Sequence, residues 1–428
     1  MEREAARIGR VTSTQQTEFH AWAARPRPGW DSFDAGDWAA AGPREFSDPF
    51  VDAADSSAGD SSVIAGQGPT IRYQTSTWTS PWHPLPLSAQ EIIVSFKATT
   101  PGRSWIEVQI QVSTDQGTRS RWFTMARWCQ KLPDPYHPGR GGAIHRASVD
   151  GQSDSCARVD TDTLIAADGQ ALTGYRLRAV LMHPDGAPER PRITLLGAAA
   201  SGPDHTAGPD HTAGADNPAG SDGVSPVGPA AGLELAVRPL SQMVHRGTAP
   251  QYGGGGESWC SPTSVAMAMG FHGVIEPVDA VVPETALGTW DHQYRGAGNW
   301  AFSAAHAAAH GLEAFVTRLP DLRALEEFIV LGLPVVVSVS FRATDLDGAG
   351  YSTDGHLMLV IGFTDDGDVI VDDPASHEEP SDDRVRTVYR RDQLEEVWLA
   401  GSGGVVYVIA PPGSPLPPTR SRDHRRSP

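Results

Sequence analysis

Residues 253–270 read GGGGESWCSPTSVAMAMG. Four glycines lead into Trp259 and Cys260, and the run from Pro262 to about Phe271 reads as a helix, with Pro262 at its first position and Ser261 as its cap. Glycines let backbone approach a neighbour closely and offer N–H groups, while a helix start brings partial positive charge to the thiol. A thiol attacks only as the thiolate, which a helix N-terminus or an adjacent imidazolium favours. Taken alone, the same pattern suits a small buried cysteine better than a nucleophile. The decision rests on whether the chain also supplies a base and an acid to orient it.

Residues 354–376, DGHLMLVIGFTDDGDVIVDDPAS, supply both. His356 opens a strand, the DDG turn reverses the chain, and the returning strand ends at Asp372 and Asp373. In such a hairpin the open ends of the two strands lie side by side, so His356 can meet one of the two aspartates. Each piece also has an ordinary reading, since Asp-Pro commonly begins a turn and a polar residue often starts a strand.

The order WCSPTSVAM, GNWAF, GHLMLVIGF, DVIVDDPAS resembles cysteine peptidase family 39 in its broad sense, a papain-like fold, and most of all its stand-alone actinobacterial members with a β-rich region ahead of the peptidase domain. The resemblance spans about residues 237–412. It implies Cys260 as nucleophile, His356 as base and Asp373 as orienting acid, with Asp372 as the alternative. It implies hydrolysis of peptide bonds in a peptide or protein substrate through a thioester, with no cofactor. The family's oxyanion glutamine stands about six residues before the cysteine, where this chain has Gly254; Gln251 is the nearest glutamine and the candidate donor. Two other readings stay open: an acyl or γ-glutamyl transferase on the same scaffold, and a non-catalytic binding protein of a surface polymer.

Outward from this site, residues 233–412 read as an α+β domain. Helices are expected through WAFSAAHAAAHG, PDLRALEEFIVLG and RRDQLEEVWLA, and strands through PVVVSVSF, HLMLVIGF, GDVIVDDP and GGVVYVIAP. From about 71 to 200 the pattern alternates: in WIEVQIQV, Ile106, Val108, Ile110 and Val112 share one face and Glu107, Gln109 and Gln111 the other. EIIVSF and YRLRAVLM do the same, with Arg176 and Arg178 outward, so an all-β sandwich or jelly roll is expected. Its role is open between a surface polymer, a protein partner and a structural cap. Residues 1–70 carry no clear element. Residues 201–232, with GPDHTA twice in tandem, read as a flexible linker, and 413–428 as a disordered basic tail.

Lys plus Arg number 34 against 52 Asp plus Glu, a net charge of −18, which disfavours nucleic acid and anionic membrane as main partners. No apolar run is long enough to span a bilayer, and the first residues lack a signal-peptide core, so a soluble, cytoplasmic protein is expected, with export open if the true start lies elsewhere. Of the three cysteines, Cys129 and Cys156 are the pair available for a disulfide. His306 and His310 have the i, i+4 spacing of a metal pair but no nearby acidic third ligand, and no metal site is expected. Glu326, Glu327, Glu395 and Glu396 read as solvated helix faces, and Trp290, Tyr294 and Trp300 as cleft or core.

Overall fold

A computed structural model of the chain describes residues 15–47, 70–131, 146–203, 224–274 and 278–417. The first domain consists of strands β1 (Gln15–Ala23), β2 (Asp31–Ser32), β3 (Asp37–Ser47), β4 (Thr70–Thr79), β5 (His83–Ala89), β6 (Glu91–Thr99), β7 (Trp105–Thr114), β8 (Phe123–Trp128), β9 (Ala157–Asp160), β10 (Thr163–Ala166), β11 (Leu172–Pro184) and β12 (Arg192–Pro203). One sheet has the order β2-β1-β12-β6-β10-β9, and the other β3-β4-β11-β7-β8 with β5 also paired to β11. They close over a shared core to which Ile106, Val108, Ile110 and Val112 contribute the inward residues of β7, each completely buried. Each such side chain removed from water contributes roughly 1.5–3 kcal/mol, which is why alternation fixes the face of a strand.

The irregular segment expected over residues 1–70 is corrected by the structure. β1 pairs along its whole length with β12, from Gln15 opposite Pro203 to Ala23 opposite Leu195, and β3 pairs with β4. β1 is mostly polar ahead of Trp22, and β3 carries Ala39, Ala40, Ala41 and Gly42, so side-chain periodicity is faint, and backbone pairing near the sheet edges helps to hold them.

The second domain contains α1 (Cys260–Phe271), α2 (Val278–Thr289), α3 (Trp300–Ala309), β13 (Glu313–Arg318), α4 (Leu322–Val330), β14 (Val335–Phe341), β15 (Thr353–Phe363), β16 (Val369–Asp372), β17 (Arg386–Tyr389), α5 (Arg391–Ser402) and β18 (Val405–Ala410). Its antiparallel sheet has the order β13-β18-β14-β15-β16-β17. One face is covered by α1, α2 and α3, the other by α4 and α5, giving two apolar layers. The alanine-rich α3 serves both domains: Ala304, Ala307 and Ala308 join its own core, while Ala301, Phe302 and Ala305 join that of the first domain, with Phe302 5.3 Å from Trp128 ring to ring.

Four further expectations are corrected. Residues 224–232, placed in the linker, are clamped onto α4 and α5. Buried Glu326 accepts from the N–H groups of Gly228 and Ala230 at 3.0 Å each and pairs with Arg391, while buried Glu395 accepts from those of Ser225 and Leu322. Glu326 and Glu395 are therefore interior struts rather than solvated, because a packed segment outside any helix or sheet ladder needs partners for its backbone; Glu396 is exposed as expected. Cys129 and Cys156 are both buried and free, lying in separate apolar clusters, so no disulfide joins them. At the start of the basic tail, the Ser414 carbonyl accepts from Arg27 and Leu416 packs on the core. The GPDHTA repeat and the tail from residue 418 lie largely or wholly outside the described residues. No helix among those described is long and apolar enough to cross a membrane.

Candidate active site

The reversal between β15 and β16 sets Leu359 opposite Asp372, so His356, three residues earlier, and Asp373, one residue later, come to the same end of the sheet. His356 Nε2 lies 2.8 Å from Asp373 Oδ1. The other oxygen of Asp373 accepts from the Tyr351 hydroxyl at 2.8 Å and the Tyr389 hydroxyl at 2.7 Å, and the Ala375 N–H adds a bond of 3.0 Å to Oδ1. A buried carboxylate is costly unless paired, and this one has four donors. Burial pushes the Asp373 carboxyl up, but His356 and the two tyrosine hydroxyls outweigh it and hold it below the ordinary value.

The helix begins at Cys260 itself, with Trp259 in the cap position and no side-chain cap. Ser261, expected as the cap, is instead buried within the first turn, 2.9 Å from Ser303 Oγ of α3 and 3.2 Å from Tyr407 Oη of β18. Ser264 donates to the Leu357 carbonyl at 3.1 Å, tying the first turn of α1 to the strand that bears His356. The half-buried Cys260 thiol lies near His356, whose Nε2 is committed to Asp373. Burial raises the thiol, but the nearby His356, with backbone N–H groups, brings it below the ordinary cysteine value. Burial alone would lower His356; Asp373 and Cys260 push it up to about 10. The two shifts act together: each group favours the charged form of the other.

Asp372, the alternative acid, does not reach His356. It lies beside Val237, Ile361 and Arg386 at a cleft of about 320 Å³, with Oδ2 buried and unpartnered among the described residues. Burial pushes it up to about 7, against the pull of Arg386, which is already engaged by Glu234 at 2.6 and 2.8 Å.

The glycine run shapes the entry to the site. Gly253, Gly254 and Gly255 have φ of 77°, 93° and 111°, and a side chain at Gly256 would strike the Gln242 carbonyl. Gln251 is exposed in the short turn Pro250–Tyr252. A different glutamine, Gln242, is buried between the segments that lead into Cys260 and out of Asp373: its N–H donates to the Pro374 carbonyl at 2.9 Å and its amide nitrogen to the Gly256 carbonyl at 2.5 Å, while Oε1 is buried and unpartnered among the described residues. Standing 18 residues before Cys260, it lies beyond the spacing that draws attention to Gln251. The sequence around it carries no helix or strand pattern that would mark it.

Trp290 is core, packed edge-on against Tyr252 at 5.1 Å. Tyr294 is half exposed; burial raises its phenol, and Asp162, Cys260 and Asp291 add to the shift, which sets it near the thiol. Its loop is held by Asp291, which accepts from the N–H groups of Gln293, Tyr294 and Ser148, the last from the first domain at 3.0 Å. Trp300 lines a cleft of about 470 Å³ between the domains, where its N–H donates to Asp162 at 2.6 Å. His310 bonds back to the His306 carbonyl, and buried His306 packs at Gly288; among the described residues no group of three ligands could hold a metal ion.

The family model described as Peptidase C39 N-terminal domain matches residues 18–201, and that described as Peptidase_C39 like family matches residues 234–405. No curated protein matches the sequence. Among solved structures, a chain assigned as a C39-like peptidase from Bacillus anthracis is 13% identical over 41% of this chain and 96% of its own, with a TM-score of 0.29. A carbohydrate-binding module of the β-sandwich superfamily is 10% identical over 38% of this chain and 54% of its own, with a TM-score of 0.18. The two matched stretches fall one on each domain, and the chain belongs to the C39-like peptidase family.

Proposed function

We propose that the protein is a cysteine peptidase of papain-like fold in which Cys260 is the nucleophile, His356 the general base and acid, and Asp373 the residue that orients and charges the imidazole. The observation that carries this reading is the 2.8 Å contact between His356 Nε2 and buried Asp373, with Cys260 at a helix N-terminus close enough for thiol and imidazole to shift each other's titration. With the thiol proton already on His356, the thiolate attacks the peptide carbonyl carbon and the C=O electrons move onto oxygen. When they return, the C–N bond breaks and the imidazolium gives its proton to the departing amine, leaving a thioester. Water then loses a proton to His356 and attacks the thioester, and collapse releases the acid and the thiolate.

Gln242 replaces Gln251 as the oxyanion donor in this scheme, together with the Cys260 N–H. Its amide is pinned on Gly256, four residues before the nucleophile, and its backbone is pinned on the residue that follows Asp373. Tyr294 supplies one exposed wall near the thiol.

The test is alkylation of the folded protein across pH, followed by peptide mapping, beside hydrolysis of a peptide library. Cys260 is expected to react at about pH 6 nearly as fast as at about pH 8, because His356 holds the thiolate. In His356→Ala, burial is opposed only by backbone N–H groups, and the onset moves up to that of an ordinary cysteine or above it. Ordinary thiol titration in the wild-type protein, or peptide hydrolysis that survives Cys260→Ala, overturns the assignment.

A further inference from the structure

Five side chains alternate beside the sheet β3-β4-β11-β7-β8, Arg176 and Arg178 from β11 and Trp82, Arg119 and Trp122 from the segments between strands. The Arg119 guanidinium lies 4.5 Å from the ring centre of Trp82, Arg176 lies 5.3 Å from Trp82 and 4.9 Å from Trp122, and Arg178 lies 3.8 Å from Trp122. The row Arg119, Trp82, Arg176, Trp122, Arg178 is thus a ladder of cations held by indoles. Arg176 and Arg178 stand on β11, opposite Gln111 and Gln109 of β7. Their Nε atoms are spent on Gln111, at 2.9 Å, and Thr79, at 3.4 Å, which leaves the terminal nitrogens directed by the stacking. Planar guanidinium is suited to this, and a fixed fork loses little entropy on taking up a carboxylate or an ester anion.

Among the described residues, no carboxylate comes within ion-pair distance of Arg119, Arg176 or Arg178. Glu107 on the same face is taken by Arg127 at 3.6 Å and Gln109 at 2.5 Å, and Asp37, in the same row beyond Thr79, pairs with none of them. Burial lowers Arg176 and Arg178, and neighbouring arginines lower them further: Arg119 for the first, Arg176 and Arg44 for the second. In a chain of net charge −18, this is an uncompensated positive patch whose mutual repulsion an anion would relieve.

We propose that this face binds an acidic polysaccharide, with carboxylate or ester anions in the guanidinium forks, sugar C–H groups against the half-buried indoles, and hydroxyls on Thr79 and Thr124. An acidic peptide fits less well, because β11 lies between β4 and β7 and has no free edge for strand addition. Nucleic acid fits less well because three arginines neutralise too few phosphates.

The intact protein is run through gels containing polygalacturonate, dextran, an oligothymidylate or polyglutamate. Retardation by polygalacturonate alone is expected, weakening as salt rises from about 50 to about 300 mM. The double variant Arg176→Gln, Arg178→Gln is expected to lose about tenfold or more in affinity. If circular dichroism shows that this variant has lost its fold, the exposed Arg119→Gln serves in its place, with about threefold expected. The proposal is overturned by no retardation in polygalacturonate, by folded variants that bind as the wild type does, or by equal affinity for the oligonucleotide or polyglutamate. Hydrolysis plays no part in the readout, so a failure here leaves the Cys260 assignment untouched.

Discussion

Asp372 and Asp373 are neighbours at the end of one strand, and their surroundings are opposites. Asp373 has four hydrogen-bond donors and a carboxyl held below its ordinary value, while Asp372 has a buried, unpartnered oxygen and a carboxyl pushed up to about 7. Burial acts on both in the same direction; donors decide the outcome. A carboxylate is useful as a permanent charge beside an imidazole only where the fold supplies those donors, and the two tyrosines that do so come from the loop before β15 and from β17.

The sharpest way to break this contrast is exchange of the nucleophile against exchange of each acid. Cys260→Ala is expected to abolish peptide hydrolysis, and Asp373→Asn to lower kcat by about 10²–10⁴, whereas Asp372→Asn leaves kcat within about twofold. Equal losses from the two Asn variants, in steady-state assays, would erase the distinction between the acids.

Next in size is the contrast between the two glutamines. Gln242→Ala is expected to cost about 10²–10³ in kcat, with a smaller change in KM, and Gln251→Ala to cost nothing measurable. The reverse order would return the oxyanion role to Gln251.

A third test reads stability. Asp373, whose folded pKa is depressed, contributes stability that is present above the ordinary carboxylate value and is lost as pH falls through the depressed one. Asp372 works the other way: its folded pKa is raised, so stability falls as pH rises from about 4 to about 7. Asp372→Asn is therefore expected to stabilise by up to ~4 kcal/mol above pH ~7 and by nothing below pH ~4, measured as unfolding midpoints in denaturant. A gain that is the same at every pH would contradict the burial argument.

The smallest effect tests the donors. Tyr351→Phe removes one of two hydroxyls on Asp373 Oδ2 and is expected to lower kcat by less than about tenfold, with the acid limb of the pH–rate profile moving upward. A lower kcat with an unmoved limb would make Tyr351 a packing residue only.

Alternation makes β6, β7 and β11 legible along the chain, because their inward residues are large and many are β-branched. It fails for β1 and β3, where polar residues and alanine carry little signal and pairing with β12 and β4 helps to hold them. The same limit hides residues 224–232, whose order comes from Glu326, Glu395 and Arg391 far along the chain, and α2, whose internal Pro283 argues against a helix. In the site, hairpin logic brings His356 to an aspartate, and the helix start marks Cys260. Gln242 escapes because its position follows from contacts with Gly256 and Pro374, two segments more than a hundred residues apart.

The sequence by itself determined the residue types, their order and the local elements that bear them: a thiol at a helix start, an imidazole and two carboxylates at the open end of one hairpin. Periodicity and turns are local, so they could be read along the chain. Only the tertiary structure decided which aspartate meets His356, which glutamine stands between the segments that lead into Cys260 and out of Asp373, and that three arginines and two tryptophans from separate stretches form one ladder. Those outcomes depend on strand register, burial and donors that converge from distant parts of the chain, and spacing in sequence does not encode them.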